Sequence, residues 1–371
     1  MPPQADEFTI GVEEEYQIVD AQSRALRQGA NRILPQARAA VGEEVTNELF
    51  LSQIEIGTPV CRTLADVRAE LVRLRRGVIE AAEREGCRIA AAGTHPFSHW
   101  EDQALTPKAR YYGIAADFKQ LAREQIIFGC HVHVGIADRE AAIQVMNRAR
   151  PWLAPLVALS ANSPFWLGLE TGYASYRTEL FQRFPMVHTP YVLADRAEYD
   201  ALIAALVATG SISDASKIYW DVRPSSHFQT LEFRVADVCM AIDEAVMIAG
   251  LCRALARTCH DQHLRGEPIE HARPELLRAA KWRASRYGLD GELIDVAARR
   301  AIPARQEIER LLSYLRPALE AHAEWAEVSG LVHQTLEHGT GARRQVWAYA
   351  QAGRFEDVVD LIVQETARGT E

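Results

Sequence analysis

Lysine is scarce in this chain of 371 residues: only Lys108, Lys119, Lys217 and Lys281 stand among 41 basic residues, and the net charge is −9. An acid excess of this kind does not suggest a nucleic-acid surface. No run of about 18 uncharged apolar residues occurs, so no membrane span is expected. The opening MPPQADEF lacks a basic segment followed by an apolar one, so no secretory leader is expected and the cytoplasm is the expected compartment. The six cysteines show no C-x-x-C spacing, which excludes the common zinc and redox motifs and reads as reduced, buried thiols. There is no G-x-x-x-x-G-K-[ST] loop and no G-x-S-x-G elbow, so neither a P-loop nor a nucleophile elbow is available. Repeats, low-complexity segments and Gly/Pro/Ser-rich linkers are also missing.

What is present is a chain 48% hydrophobic and 25% charged, the balance of a globular enzyme. The surplus of arginine offers planar forks for carboxylate or phosphate, although codon bias is the better explanation for most of it. Period-two alternation predicts strands over 8–19, 49–58, 88–93, 126–136, 217–223 and 229–237. Helical periodicity fills 63–85, 115–125, 138–150, 151–161 and 195–209. It continues over 241–264, 274–285, 290–299, 303–326, 341–352 and 354–368. Strands in pairs with long helical insertions predict an α+β fold, a mainly antiparallel sheet with helices on one side. The expected organisation is one domain over 1–371, sheet-forming to about 240 and helical from about 241.

The stretch IGVEEEYQIV sets three glutamates side by side. On a strand, residues i and i+2 share a face, so Glu13 and Glu15 converge while Glu14 points away with Val12 and Tyr16. The same division recurs in three other strands. Gln53, Glu55 and Gly57 lie opposite Ile54 and Ile56. His131 and His133, between Gly129 and Gly135, lie opposite Cys130, Val132 and Val134. Thr230, Glu232, Arg234 and Ala236 lie opposite Leu231, Phe233 and Val235. If the four strands are neighbours, one face gathers Glu13, Glu15, Glu55, His131, His133, Glu232 and Arg234. Clustered carboxylates raise one another's pKa unless cations match them, and an oxygen-rich set with one or two imidazoles suits Mg²⁺ or Mn²⁺ better than zinc. Arg234 suits a transferring phosphoryl group or a substrate carboxylate. Taken singly, E-x-E also describes a solvated sheet face, H-x-H a structural pair, and Glu232–Arg234 an ordinary ion pair. Repetition over four strands favours a site.

The segments GVEEEYQIVD, GTHPF, CHVHVGI, ALSANSPFWLG, TGYASYR, YWDVRPSSHFQTLEFRVADV, KWRASRYGLDGELID and GTGARRQ resemble the bacterial carboxylate–amine ligases, the type 2 glutamate–cysteine ligases, over nearly the whole chain. The resemblance implies a glutamine-synthetase-like catalytic domain, a curved sheet whose concave face holds ATP, metal and substrate with helices outside. It implies ATP-dependent amide formation through an acyl phosphate, of γ-glutamyl type, with a small amino-acid or carboxylate substrate and an amine acceptor. By the same resemblance Glu13, Glu15, Glu48, Glu55, His131 and Glu232 are the metal ligands. Arg234 contacts phosphate, His131 and His133 are nucleotide-binding candidates, and Arg177 and Arg223 are candidates for anchoring a substrate carboxylate or the γ-phosphate. Glu48 and Glu55 cannot both point inward from one regular strand, so a bend or loop near Glu48 is required. Arg110, His95 and GTGARRQ are lesser candidates, each equally readable as structural. A metal-dependent hydrolase using the same His/Glu cluster and a non-catalytic nucleotide-binding relative are the alternatives. A homodimer is the expected assembly, by common practice among soluble enzymes.

Overall fold

The computed structural model describes residues 7–371; most of the N-terminal stretch read for a leader lies outside them. Its strands are β1 (Ile10–Asp20), β2 (Val45–Asn47), β3 (Gln53–Gly57), β4 (Cys87–Ala90), β5 (Gly129–Gly135), β6 (Phe165–Trp166), β7 (Leu169–Glu170), β8 (Val222–Pro224), β9 (Thr230–Asp237), β10 (Glu292–Asp295) and β11 (Arg300–Pro303). The main sheet runs β2-β3-β1-β5-β9-β8, with β4 also paired to β1, and every pairing in it is antiparallel. The α+β plan therefore stands as the alternation predicts.

One face of this sheet is apolar. Val12, Tyr16, Ile18, Ile54, Ile56, Cys130, Val132, Val134, Leu231 and Phe233 are all buried. Against it lie helices Leu64–Arg84 and Ile242–Leu264, while helix Phe355–Ala367 packs on β4. Helix Leu64–Arg84 starts at a capping box, Thr63 and Asp66 exchanging side-chain-to-backbone hydrogen bonds, which satisfies donors that the first turn leaves free. Glu14 points into this layer and is fully buried. Arg75 grips it with Nε–Oε2 3.0 Å and Nη2–Oε1 2.6 Å, and the Tyr16 hydroxyl donates to the same carboxylate. Arg75 also donates to the carbonyls of Met240 (2.9 Å) and Cys239 (3.0 Å), so one guanidinium ties β1 to the chain leaving β9.

Several element expectations need correction. The helix predicted over 290–299 is the ribbon β10–β11. Leu293 and Asp295 are buried while Glu292 is exposed, a period-two pattern, and the turn closes with Asp295 accepting from the Ala298 N–H and Arg299 at φ 55°. Helix Ala30–Val41 was not expected; Pro35 lies inside it, a residue that argues against helix when neighbours in space are unknown. The helix predicted over 303–326 ends at Ala321, and a second one, Trp325–His338, follows.

One misread residue matters for the site. Between Cys130↔Ala236 and Val132↔Phe233 the β5–β9 register slips: His131 alone on β5 stands against Arg234 and Val235 on β9. A bulge of this kind shifts the facing of everything beyond it. Glu232 keeps the face expected of it, but Ala236 pairs with Cys130 and Asp237 with Gly129. Asp237, not Ala236, therefore takes the polar face.

Candidate active site

The register across the polar face brings the predicted residues into rows. Glu15 stands opposite Glu55, Glu13 opposite His131, His133 opposite Glu232, and Glu232 opposite Arg223. Together with Glu48, Arg177 and Arg234 they line one cavity of about 440 Å³, within the range of small-molecule sites. All ten predicted site residues are thus in its walls. Glu48 gets there by the loop its spacing demanded, since it sits between β2 and β3 and faces the Tyr111 hydroxyl at 3.3 Å.

The acids divide into two environments. Glu13 approaches His131 Nδ1 at 3.2 Å and His133 Nε2 at 3.3 Å. Burial pushes its carboxyl up, but the two imidazoles outweigh burial and hold it well below the usual carboxylate range. Glu232 is likewise raised by burial and pulled far lower by Arg234 and Arg223, with Arg223 Nε at 2.8 Å. Glu55, Glu15 and Glu48 behave oppositely. Burial and then the charges of Glu48, Glu13 and Glu15 push Glu55 well up. Burial and the Glu48 charge push Glu15 to about 7. Glu48 is raised by burial and partly relieved by Arg110. Burial, with the nearby Arg234 charge, lowers His131 to about 4, leaving a neutral imidazole with a lone pair to give.

Two sets of ligand atoms lie within 4.8 Å of one another, Glu13/Glu55/His131 and Glu13/His133/Glu232, sharing Glu13. His133 belongs to the second set, a role that the sequence favours less for it than for His131. Glu15 and Glu48 fall outside both; Glu15 Oε2 accepts from the Gly129 N–H at 2.6 Å. Arg234 Nε and Arg177 Nε are buried without a hydrogen-bond partner, donors that a bound ligand would satisfy. An oxygen-rich, two-histidine set with crowded carboxylates and orphaned donors fits a hard divalent cation and a phosphorylated ligand.

Arg177 is 3% exposed, and its nearest carboxylate, Asp237, is 4.0 Å away. The Asp237 oxygens are already taken by Ser163 Oγ (2.7 Å), Ser175 Oγ (2.8 Å) and the Asn162 N–H (2.8 Å). Asp237 thus holds the segment that carries Arg177 while leaving the guanidinium free for the cavity. Sequence reasoning missed Asp237 because the bulge hides its facing. It also missed the aromatic wall of Phe181, Phe184 and Tyr219, which forms only when the segment of the first two meets the distant Tyr219. Arg110 does line the cavity. His95 does not: its Nε2 meets the Arg24 carbonyl at 2.9 Å and its Nδ1 accepts from the N–H groups of Phe97 and Ser98, a loop-holding role. In GTGARRQ, Thr340 caps helix Gly341–Ala352 and the segment lies outside this cavity's walls.

Among solved structures, a glutamate–cysteine ligase from Francisella tularensis in complex with AMP matches over 99% of this chain and 91% of its own, with a TM-score of 0.72 at 13% identity. At that identity the likeness establishes a shared fold, that of a ligase. The sequence pattern of glutamate–cysteine ligase family 2 (GCS2) matches residues 9–361. A relative from Frankia alni, under the provisional name glutamate–cysteine ligase 2-2, is 43% identical over 96% of this chain and 97% of its own length. Another from Solibacter usitatus, provisionally glutamate–cysteine ligase 2, is 40% identical over 98% and 94%. The chain belongs to glutamate–cysteine ligase family 2 and is an ATP-dependent ligase that forms carbon–nitrogen bonds.

Proposed function

We propose that the chain, acting as one catalytic domain, joins a small carboxylate substrate to an amine through an acyl phosphate, making a γ-glutamyl-type amide with Mg²⁺ or Mn²⁺. The observation that carries this is the pair of overlapping ligand sets on one sheet face, flanked by the buried Arg177 and the half-buried Arg223 and Arg234. A carboxylate oxygen attacks the γ-phosphorus and ADP departs with the bridging oxygen. The amine nitrogen then attacks the acyl carbon, phosphate leaves, and the nitrogen loses a proton. Glu13, Glu55, His131, His133 and Glu232, with Glu15 and Glu48 beside them, would hold the divalent metal, which would supply neutralisation of the triphosphate charge. Arg234 and Arg223, both anchored on Glu232, face the γ-phosphate. Arg177, fixed and unspent, takes the carboxylate of the substrate that is not phosphorylated.

Glutamate and cysteine, named in the relatives, are the first pair to try, although no residue of the cavity singles out a thiol. The six described cysteines are buried and unbridged, which supports a reducing compartment, the cytoplasm. No described helix is long and apolar enough to cross a membrane. The test is ADP release on mixing the protein with ATP, Mg²⁺ and panels of amino acids and amines. Release that requires both an acid and an amine, and stops when EDTA removes the metal, is expected. Turnover of an amide substrate without nucleotide would instead make the protein a hydrolase, and absence of nucleotide binding by calorimetry would sink the ligase reading.

A further inference from the structure

The turn joining β8 to β9 carries a feature that neither folding nor the chemistry above uses. Phe228 sits there 60% exposed and lines the catalytic cavity. Turn positions usually hold small or polar residues that serve the backbone, and a large ring left open at a cavity mouth gains nothing from burial. The turn is nevertheless built firmly. Ser225 Oγ accepts from the N–H groups of His227 (3.3 Å) and Phe228 (3.2 Å), and the Ser225 N–H donates to the Thr230 carbonyl at 2.9 Å. Thr230 Oγ1 in turn meets His133 Nδ1 at 2.9 Å, and the Phe228 and His133 rings stand edge to face with centroids 5.9 Å apart. The turn therefore holds the Phe228 backbone, with the ring against His133, beside the Glu13/His133/Glu232 set.

The two ends of the cavity differ in what they offer a ligand. At the far end lie Glu15, Glu48 and Arg177, with Phe181 under the Arg177 guanidinium at 5.6 Å, groups suited to an amino-acid substrate. At the turn end lie Arg223 and the second ligand set, with Ser225, Ser226, His227 and Phe228 of the β8–β9 turn in the wall beside them. A triphosphate bound beside that ligand set would have the turn's rim within reach of its nucleoside end. We propose that Phe228 is the platform on which the purine of ATP stacks, with Ser226 and His227 at the edge of the base. This rests on the ligase reading, and it adds a base-binding residue that the sequence motifs did not single out. Stacking is indifferent to which purine is present, so Phe228 supplies affinity and not choice of base.

The experiment is calorimetry on the whole protein with Mg²⁺, titrating either a non-hydrolysable ATP analogue or inorganic tripolyphosphate, which has no base. Phe228→Ala is expected to bind the ATP analogue at least about fivefold more weakly and tripolyphosphate as well as the parent does. Phe228→Trp is expected to restore the nucleotide affinity. An analogue affinity within twofold of the parent in Phe228→Ala overturns the assignment, as does an equal loss for tripolyphosphate, which would make the ring a prop for the turn. Failure of the parent protein itself to bind either ligand overturns the ligase reading, and that result is visible before any variant is made.

Discussion

The two faces of β1 treat the same residue type in opposite ways. Glu14 enters the helix-covered layer, where a bidentate Arg75 and the Tyr16 hydroxyl complete its coordination. Its neighbours Glu13 and Glu15, with Glu55 across the strand pair, face a cavity where no guanidinium closes on them as Arg75 does on Glu14, and burial with neighbouring carboxylates drives Glu15 and Glu55 upward. One face is closed and saturated, and on the other Glu15 and Glu55 are left without a direct cationic partner. A carboxylate that a protein completes by itself is structural, whereas carboxylates left incomplete together are poised for a ligand that brings charge.

The strongest way to break this comparison is to open the closed face. Arg75→Met leaves Glu14 buried and unpaired, and removes donors from the Met240 and Cys239 carbonyls. A broken buried pair of this kind costs about 3–5 kcal/mol, which a urea unfolding midpoint will read directly. A change below about 1 kcal/mol would show that Glu14 is not held as a charge by Arg75. Whatever fraction of the variant stays folded is expected to retain its kcat, because Arg75 lies behind the sheet.

The matching change on the open face goes the other way. Glu55→Gln removes a ligand and is expected to lower turnover at least about 10²-fold, equivalent to about 2.7 kcal/mol, yet to stabilise the metal-free protein. The sign follows from linkage. Glu55 and Glu15 are held above the ordinary carboxylate value, so between that value and the raised one the folded state binds more protons than the unfolded state. Stability contributed here is full at low pH and is lost as pH rises through the raised pKa values, to about 7 for Glu15. Melting curves in EDTA at pH 5 and pH 8 should show the parent losing stability with rising pH and Glu55→Gln losing less. Equal pH dependence in the two proteins would refute the crowding on which the metal assignment depends.

The division of faces was readable before any coordinates because side-chain alternation is a local property of a strand. For that reason Glu13, Glu15, Glu55, His131, His133 and Glu232 could be placed together, and Glu14 apart, from spacing alone. What spacing cannot show is a property of pairing. The bulge opposite His131 exists only when β5 and β9 are side by side, so Asp237 was hidden behind Ala236. The ribbon β10–β11 reads as a helix in sequence because its apolar residues fit either period over so short a run. Helix Ala30–Val41 was passed over because Pro35 argues against helix locally, while its buried face of Ile33, Leu34 and Ala37 argues for it only once a partner is known. Arg177 and Glu48 reach the cavity on a short helix and a loop respectively, and nothing periodic marks such residues.

The smallest expected effect concerns how the open face is kept open. Glycines interleave its ionisable residues, but they are not equivalent. A Cβ at Gly11 would meet only the His133 Cβ at 3.6 Å, and one at Gly57 only the Glu13 Cγ at 3.9 Å, both ordinary contacts; one at Gly129 would collide with the Arg177 guanidinium. Arg177 has Phe181 on another side and no hydrogen bond of its own to yield, so it must move within the cavity. Gly129→Ala is therefore expected to raise the KM for the carboxylate substrate about tenfold, about 1.4 kcal/mol, with a smaller change in kcat and little change in melting temperature. Gly11→Ala and Gly57→Ala serve as controls with near-parent KM. If all three variants behave alike, the space above Gly129 does not set the position of Arg177, and the guanidinium is not the carboxylate anchor. A selective rise at Gly129 would instead show that the closed face is maintained by filling and the open face by a vacancy one methyl group wide.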